Sequence, residues 1–260
     1  GSGDDVMKKT GIIILYLNIW MNTLVSQNFD TALGFCHLEI YGGEMVNTDD
    51  IQELIRSEAE KLVEEFGKVS VRPFDVFMPR TRKEFYELAK SAPEWGIAVA
   101  LKRQNRIVIQ APSVSKISYN RLEEVIIHEI NHLYLHRLTG HNSVPSWFME
   151  GMAMRSSGEF SLLHKIAISR SLWQKNLIPI PGLYNFSTKP KALIKLAYGQ
   201  AAAAVIALEY YYGDQIIYDQ LKLMRHRDDF WDSFNELTGH DEIDFQVNYE
   251  NYLANQFRWM

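Results

Sequence analysis

VIIHEINHLYLHRLTGHNSVPSWFMEGMAM, residues 125–154, is the stretch on which the reading of this chain turns. Its core is HEINH. His128 and His132 are four apart, so on a helix they share a face, one turn from each other, and two imidazoles so placed can grip one metal ion. Glu129 stands beside the first histidine, where a carboxylate can take a proton from water activated at the metal. Zinc held by two histidines still requires a third protein ligand and an open position. His136 continues the series, but at 1.5 Å rise per residue it lies ~12 Å along the axis from His128 and does not share the ion. The arrangement with glycine three and histidine six residues after the second ligand also fails, because Leu135 and Leu138 stand there. Glu150 remains. A helix break at Gly140, a loop and a new helix at Pro145 let it fold back toward the histidines. Its neighbours Trp147, Phe148, Gly151 and Ala153 are apolar or small, and a carboxylate among them costs free energy unless it is paired or bound to a cation.

Upstream of this stretch the chain mixes strands and helices. TALGFCHLEIY (31–41) reads as a strand. TDDIQELIRSEAEKLVEEFG (48–67) reads as an amphipathic helix: Ile51, Leu54, Ile55, Ala59, Leu62, Val63 and Phe66 recur at helical spacing, with Asp49 or Asp50 as cap. VSVRPFDVFMP is a second strand region, and TRKEFYELAKSA a short helix capped by Thr81. GIAVAL and RIVIQAP flank KRQN as a hairpin. From Asn120, read as the cap of the histidine helix, the chain is nearly all helix. Further helices are expected at 160–176, 192–212, 214–226, 229–237 and 242–257, with LIPIPGLYNFSTKPK and its three prolines as a loop. Strands first and helices later indicate an α+β protein. No linker separates two parts, so residues 27–260 are expected to form one domain, with an α/β portion at 27–118 and a helical portion at 119–260.

Composition narrows the function. An apolar fraction of 47% supplies a sizeable core. A net charge of −5 argues against a nucleic-acid partner, which favours a basic face. The single cysteine, Cys36, forms no internal disulfide and reads as a buried strand residue. Residues 1–6 have the look of a vector-derived scar, with the natural start at Met7. Residues 7–26 then run from two lysines through an apolar segment to a small residue, the order of a secretory signal peptide. The expectation is an exported protein, secreted, periplasmic or held in the cell envelope, whose contact with a membrane is that segment, if it is left uncleaved.

HEINH followed by PSWFMEGMA, with Glu150 eighteen positions after His132, resembles the gluzincin metallopeptidases, in particular the compact peptidase-MA-like domains and, more distantly, the aminopeptidase branch. The resemblance covers most of the chain after residue 26. It implies a zincin-like, thermolysin-like fold. It also implies one Zn²⁺ per chain held by His128, His132 and Glu150, with Glu129 as general base and then proton donor to the leaving amine. KLAYGQAAAAVIALEYYYG resembles the helix that carries a tyrosine in the aminopeptidase branch. The match places Tyr198 as the donor to the oxyanion, with Gln200 where lysine is usual and Ala201 where glycine is usual. His141 is the second candidate donor.

Two departures from the pattern matter. GIAVA (96–100) lacks the glutamate that recognises a free amino terminus in the aminopeptidase branch, which favours an endopeptidase acting on peptides or proteins. Met154 stands where some gluzincins carry the acid that orients a zinc histidine. The competing expectation is a zinc-containing binding module of the same fold without turnover.

Overall fold

The computed structural model describes residues 24–41, 46–90, 92, 96–140, 144–186 and 189–258. The chain divides into two units, one of residues 1–59 with 71–126, the other of residues 60–70 with 127–260. The second unit thus holds the helical stretch from residue 127 on, together with residues 60–70.

The first unit is built on a five-stranded sheet in the order β1-β2-β3-β5-β4. Its strands are β1 (Leu24–Thr31), β2 (Gly34–Tyr41), β3 (Phe74–Met78), β4 (Ala98–Leu101) and β5 (Arg106–Ile109). β1 and β2 are antiparallel, as are β4 and β5, while β2, β3 and β5 run parallel. The run expected as one strand over 31–41 is broken into a hairpin at its start. Thr31 accepts the Leu33 N–H and donates to the Gly34 carbonyl, closing the turn. Gly34 has φ of +127°, and a Cβ there would sit 2.3 Å from the Arg72 carbonyl oxygen, so only glycine fits. Cys36 in β2 is fully buried and pairs with Phe29 and Phe74, and burial pushes its thiol well above the usual range. Residues 7–23 of the expected leader lie outside the described residues. Leu24, Val25 and Ser26, its last three positions, pair in β1 with Tyr41, Ile40 and Glu39.

Helix α1 (Thr48–Phe66) buries Ile51, Ile55, Ala59, Leu62 and Phe66, the stripe its spacing predicts. The cap lies earlier than expected: Asn47 accepts the Asp49 N–H, and Asp49 and Asp50 occupy the first turn, where they complement the helix dipole. Thr81 caps α2 (Arg82–Leu88) as expected, and a short α3 (Pro112–Ser115) follows β5.

The second unit is helical. Its main elements are α4 (Tyr119–Thr139), which begins in the first unit's residues, then α5 (Ser146–Ser157), α6 (Leu162–Gln174), α7 (Lys191–Tyr212), α8 (Ile216–Met224), α9 (Phe230–Thr238) and α10 (Glu242–Phe257). Ser118, not Asn120, caps α4 by accepting the Arg121 N–H. Residues 60–70 join this unit through specific bonds. The Tyr134 hydroxyl donates to the Gly67 carbonyl, Arg225 donates to the Phe66 carbonyl, and Glu65 faces Arg155.

α5 and α7 approach closely because one side of the contact has no side chain. A Cβ on Gly151 would lie 2.3 Å from the Ala201 carbonyl oxygen, and Ala201 to Ala204 are all fully buried. Around Trp147 the core is aromatic: Phe148, Phe230, Trp231 and Phe245 surround the indole, with Phe245 stacked at 5.6 Å. Gln200 is buried in this core. It brackets Ile178, accepting its N–H and donating to its carbonyl, and also donates to the Tyr249 hydroxyl. α7 is long and apolar enough to cross a membrane by length and composition, yet 61% of that stretch is buried inside the protein, as a core helix requires.

Candidate metal centre

α4 carries His128 and His132 on one face, and their rings meet edge to face at 4.7 Å between centroids. The chain turns back after Gly140, whose φ is +66°, and α5 brings Glu150 against both histidines. Glu150 Oε2 lies 3.3 Å from His128 Nε2 and 3.4 Å from His132 Nε2. The three ligand atoms all lie within 4.8 Å of one another, and among the described residues this is the group of histidine, cysteine and carboxylate side chains with the spacing to hold an ion.

The chemistry of the group fits a cation. Glu150 Oε2 is buried and accepts no hydrogen bond, although it points at two imidazole nitrogens. A buried carboxylate oxygen in that condition is costly unless something positive lies among the three atoms. Two nitrogens and one carboxylate oxygen form the donor set of a zinc site that keeps a position open.

The electrostatics point the same way. For Glu150, burial works to raise the pKa, but the charge of His132 and the close approach of the His128 and His132 ring nitrogens carry it well below the usual carboxylate range. For His128, burial works to lower the pKa, but the nearness and charge of Glu150 and Glu159 push it up to about 10. Both shifts arise from the mutual attraction of imidazoles and carboxylates gathered in one buried place.

The residue that orients His128 is Glu159, which sequence reasoning missed. Its Oε2 lies 2.5 Å from His128 Nδ1 and also accepts from the Ser157 hydroxyl at 2.9 Å. A carboxylate on Nδ1 keeps the proton there and turns the Nε2 lone pair toward the ligand group. Gly158, at φ +75°, ends α5 and lets the chain reverse so that the next residue reaches back. Met154, the position where an orienting acid was sought, is buried in the core at 2% exposure. The one available signal was an acid directly after a helix-ending glycine, in SSGEF. Among the described residues His132 has no equivalent: its Nδ1 is buried and meets no hydrogen-bond partner there.

Glu129 is 7% exposed, and burial lifts its carboxyl above the usual range, against the lowering effect of His128 and His132. It therefore has the raised basicity that a proton-transfer group requires. The Tyr198 hydroxyl hydrogen-bonds Glu150, and its ring packs on Phe186 at 4.9 Å. Burial and the carboxylates of Glu150, Glu129 and Glu159 hold the phenol well above its ordinary value, so it stays a donor. The structure thus gathers His128, Glu129, His132, Glu150 and Tyr198 and adds Glu159. His136 stands outside the group. His141 lies outside the described residues. Two further ties brace the ligand helices: Asn131 of α4 donates to the Ser156 hydroxyl of α5, and Arg155 of α5 pairs with Glu209 of α7 at 2.7 Å.

Comparisons with known proteins identify a family and a fold. Residues 55–255 match a family model described as the Peptidase MA superfamily. Among solved structures, an M1 zinc metallopeptidase from Deinococcus radiodurans superposes with a TM-score of 0.53 at 15% identity, over 88% of this chain and 51% of that one. A two-domain M1 zinc metallopeptidase variant bound to L-tryptophan gives 0.51 at 13% identity, over 89% and 51%. A Deinococcus radiodurans variant bound to a Tyr-Ser-Ala substrate gives 0.51 at 14% identity, over 88% and 51%. At these identities the likeness shows a shared fold, and the chain spans about half the length of the structures it matches. No curated protein matches the sequence.

Proposed function

Since the chain belongs to the Peptidase MA superfamily, we propose that it is a zinc-dependent metallopeptidase whose reaction centre is the His128–His132–Glu150 group. The observation that carries this reading is the convergence of two imidazole nitrogens on one buried carboxylate oxygen. His128, His132 and Glu150 would hold one Zn²⁺. When bound, zinc acidifies a water and polarises the scissile carbonyl.

The chain's own groups do the rest. Glu129, made more basic by burial, takes a proton from the attacking water and returns it to the leaving nitrogen. Tyr198, held protonated, donates a hydrogen bond to the developing oxyanion. Glu159 fixes the His128 tautomer and ring angle.

The substrate class proposed is peptide or protein, a reading supported by the peptide held in a structure of similar fold. Internal cleavage is favoured over removal of terminal residues, because residues 96–100 carry no acid to bind a free amino terminus. β4, at the sheet edge with β5 on one side, has a backbone suited to pairing with an extended chain. Export is proposed from the charged, apolar, small order of residues 7–26.

The test is metal analysis together with cleavage of an unstructured protein, for wild type and Glu129→Gln. Both should contain zinc near one equivalent, and the variant should lose on the order of 10²-fold or more in rate. Wild-type cleavage by Glu129→Gln would sink the base role. Full zinc occupancy with no cleavage by the wild type, across a broad peptide library, would instead favour a binding module.

A further inference from the structure

The segment that follows the metal group carries a charge pattern unlike the rest of the chain. Between Glu159 and Glu209 there is no acidic residue, yet there are six basic ones: Lys165, Arg170, Lys175, Lys189, Lys191 and Lys195. The whole chain has net charge −5, so this block is a local reversal of sign. α6 lies within it. Its outward side exposes Leu162 at 64%, Leu163 at 58%, Ile166 at 46% and Trp173 at 69%. At helical spacing these four fall on one arc, which they share with exposed Arg170. Isolated exposed apolar residues are ordinary, but four large ones on a single arc are a patch.

We infer that this face of α6 docks the protein on an anionic lipid surface. Four large apolar side chains, one of them an indole, form the depth-seeking part; Arg170 shares their arc, Lys165 lies beside it and Lys175 is exposed at the helix end, where long flexible side chains can meet phosphate groups. Long basic side chains lie along apolar surface while their charges reach outward. The occupant favoured is a bilayer and not a peptide, because the patch is a single outward helix surface and not a groove between elements. The charge also discriminates between faces. α10 exposes Ile243 and Val247 at 74% and 54%, but its first turn holds Glu242 and Asp244, which an anionic surface repels. Glu159, which orients His128, lies three residues before Leu162 in the chain. This inference does not depend on turnover and holds equally for the Glu129→Gln protein.

The test is co-sedimentation of the full chain with phosphatidylcholine vesicles, with and without phosphatidylglycerol. The apolar segment of residues 11–25 is present in every protein compared, so its own affinity cancels. The variants are Leu163→Ser with Trp173→Ser, and Arg170→Glu with Lys175→Glu; all four side chains are exposed, and an unchanged melting temperature verifies the fold. Wild type should bind vesicles containing phosphatidylglycerol, and each double variant should bind at least ~10-fold more weakly, with added salt weakening the wild type further. Equal binding by wild type and both variants would overturn the proposal, as would wild-type capture of polyglutamate without vesicle binding, which would mark the face as a site for an acidic protein.

Discussion

Glu159 and Tyr198 reach different members of the proposed metal group, His128 and Glu150, and their loss should read differently. Glu159→Gln keeps the size of the side chain but removes the charge that holds the His128 proton on Nδ1. Zinc affinity, measured by competition with a chelator, should fall ~10–100-fold. Tyr198→Phe removes one donor, with its hydrogen bond to Glu150, and leaves the proposed ligand side chains themselves in place. Zinc content should stay near one equivalent while kcat falls on the order of 10²-fold, with KM little changed. If Tyr198→Phe lost zinc instead, its bond to Glu150 would be structural and the oxyanion role would fail. At this scale the sequence was partly legible. That the two histidines and Glu150 come together was legible because their spacing follows from helix geometry and from the cost of a carboxylate among apolar neighbours. Glu159 was not, because its contact with His128 spans 31 positions and nothing in its own neighbourhood differs from a solvated turn.

Among the elements, the packing of α7 against the loop before it rests on one buried amide. Gln200 stands where the resembling family has lysine, and here it is tied to Ile178 and Tyr249 in the core. Gln200→Leu should therefore destabilise the protein by about 1–3 kcal/mol, since the Ile178 backbone groups lose their partner. The midpoint of urea unfolding measures this, and the rate at low temperature should be nearly unchanged. An effect on rate without one on stability would make Gln200 a site residue. Helices were legible from their periodicity, and their ends less so. Asn47 and Ser118 cap α1 and α4 ahead of the residues that local sequence favours, because several polar residues cluster at each start and tertiary fit selects among them. The β1–β2 hairpin was hidden because β1, LVSQNFDT, is largely solvent-facing and its first residues merge with an apolar run.

For the molecule as a whole, the proposed ion at the His128–His132–Glu150 group should make stability depend on metal. A ligand that binds only the folded state stabilises it by RT ln(1 + [L]/Kd), about 2.7 kcal/mol at a hundredfold excess over Kd. Chelation should therefore lower the melting temperature of the wild type, and the same treatment should leave Glu150→Ala almost unmoved. An identical shift in both proteins would place the stabilising ion elsewhere. The α+β class was legible at this scale because strand and helix patterns occupy separate stretches. The division into units was not, because residues 60–70 join the helical unit through Tyr134, Arg225 and Arg155, contacts that no local pattern announces.

Gly151 follows the ligand Glu150 directly, and the atom it would strike is the Ala201 carbonyl oxygen, three residues beyond Tyr198 on α7. The contact that spaces the two helices thus also spaces the proposed metal ligand from the proposed proton donor. Because the obstacle is main chain, no exchange of side chain at position 201 can make room. In evolutionary terms the position is closed: a lineage that loses this glycine cannot regain the geometry by a compensating change on α7 and must move the backbone, and with it the reaction centre.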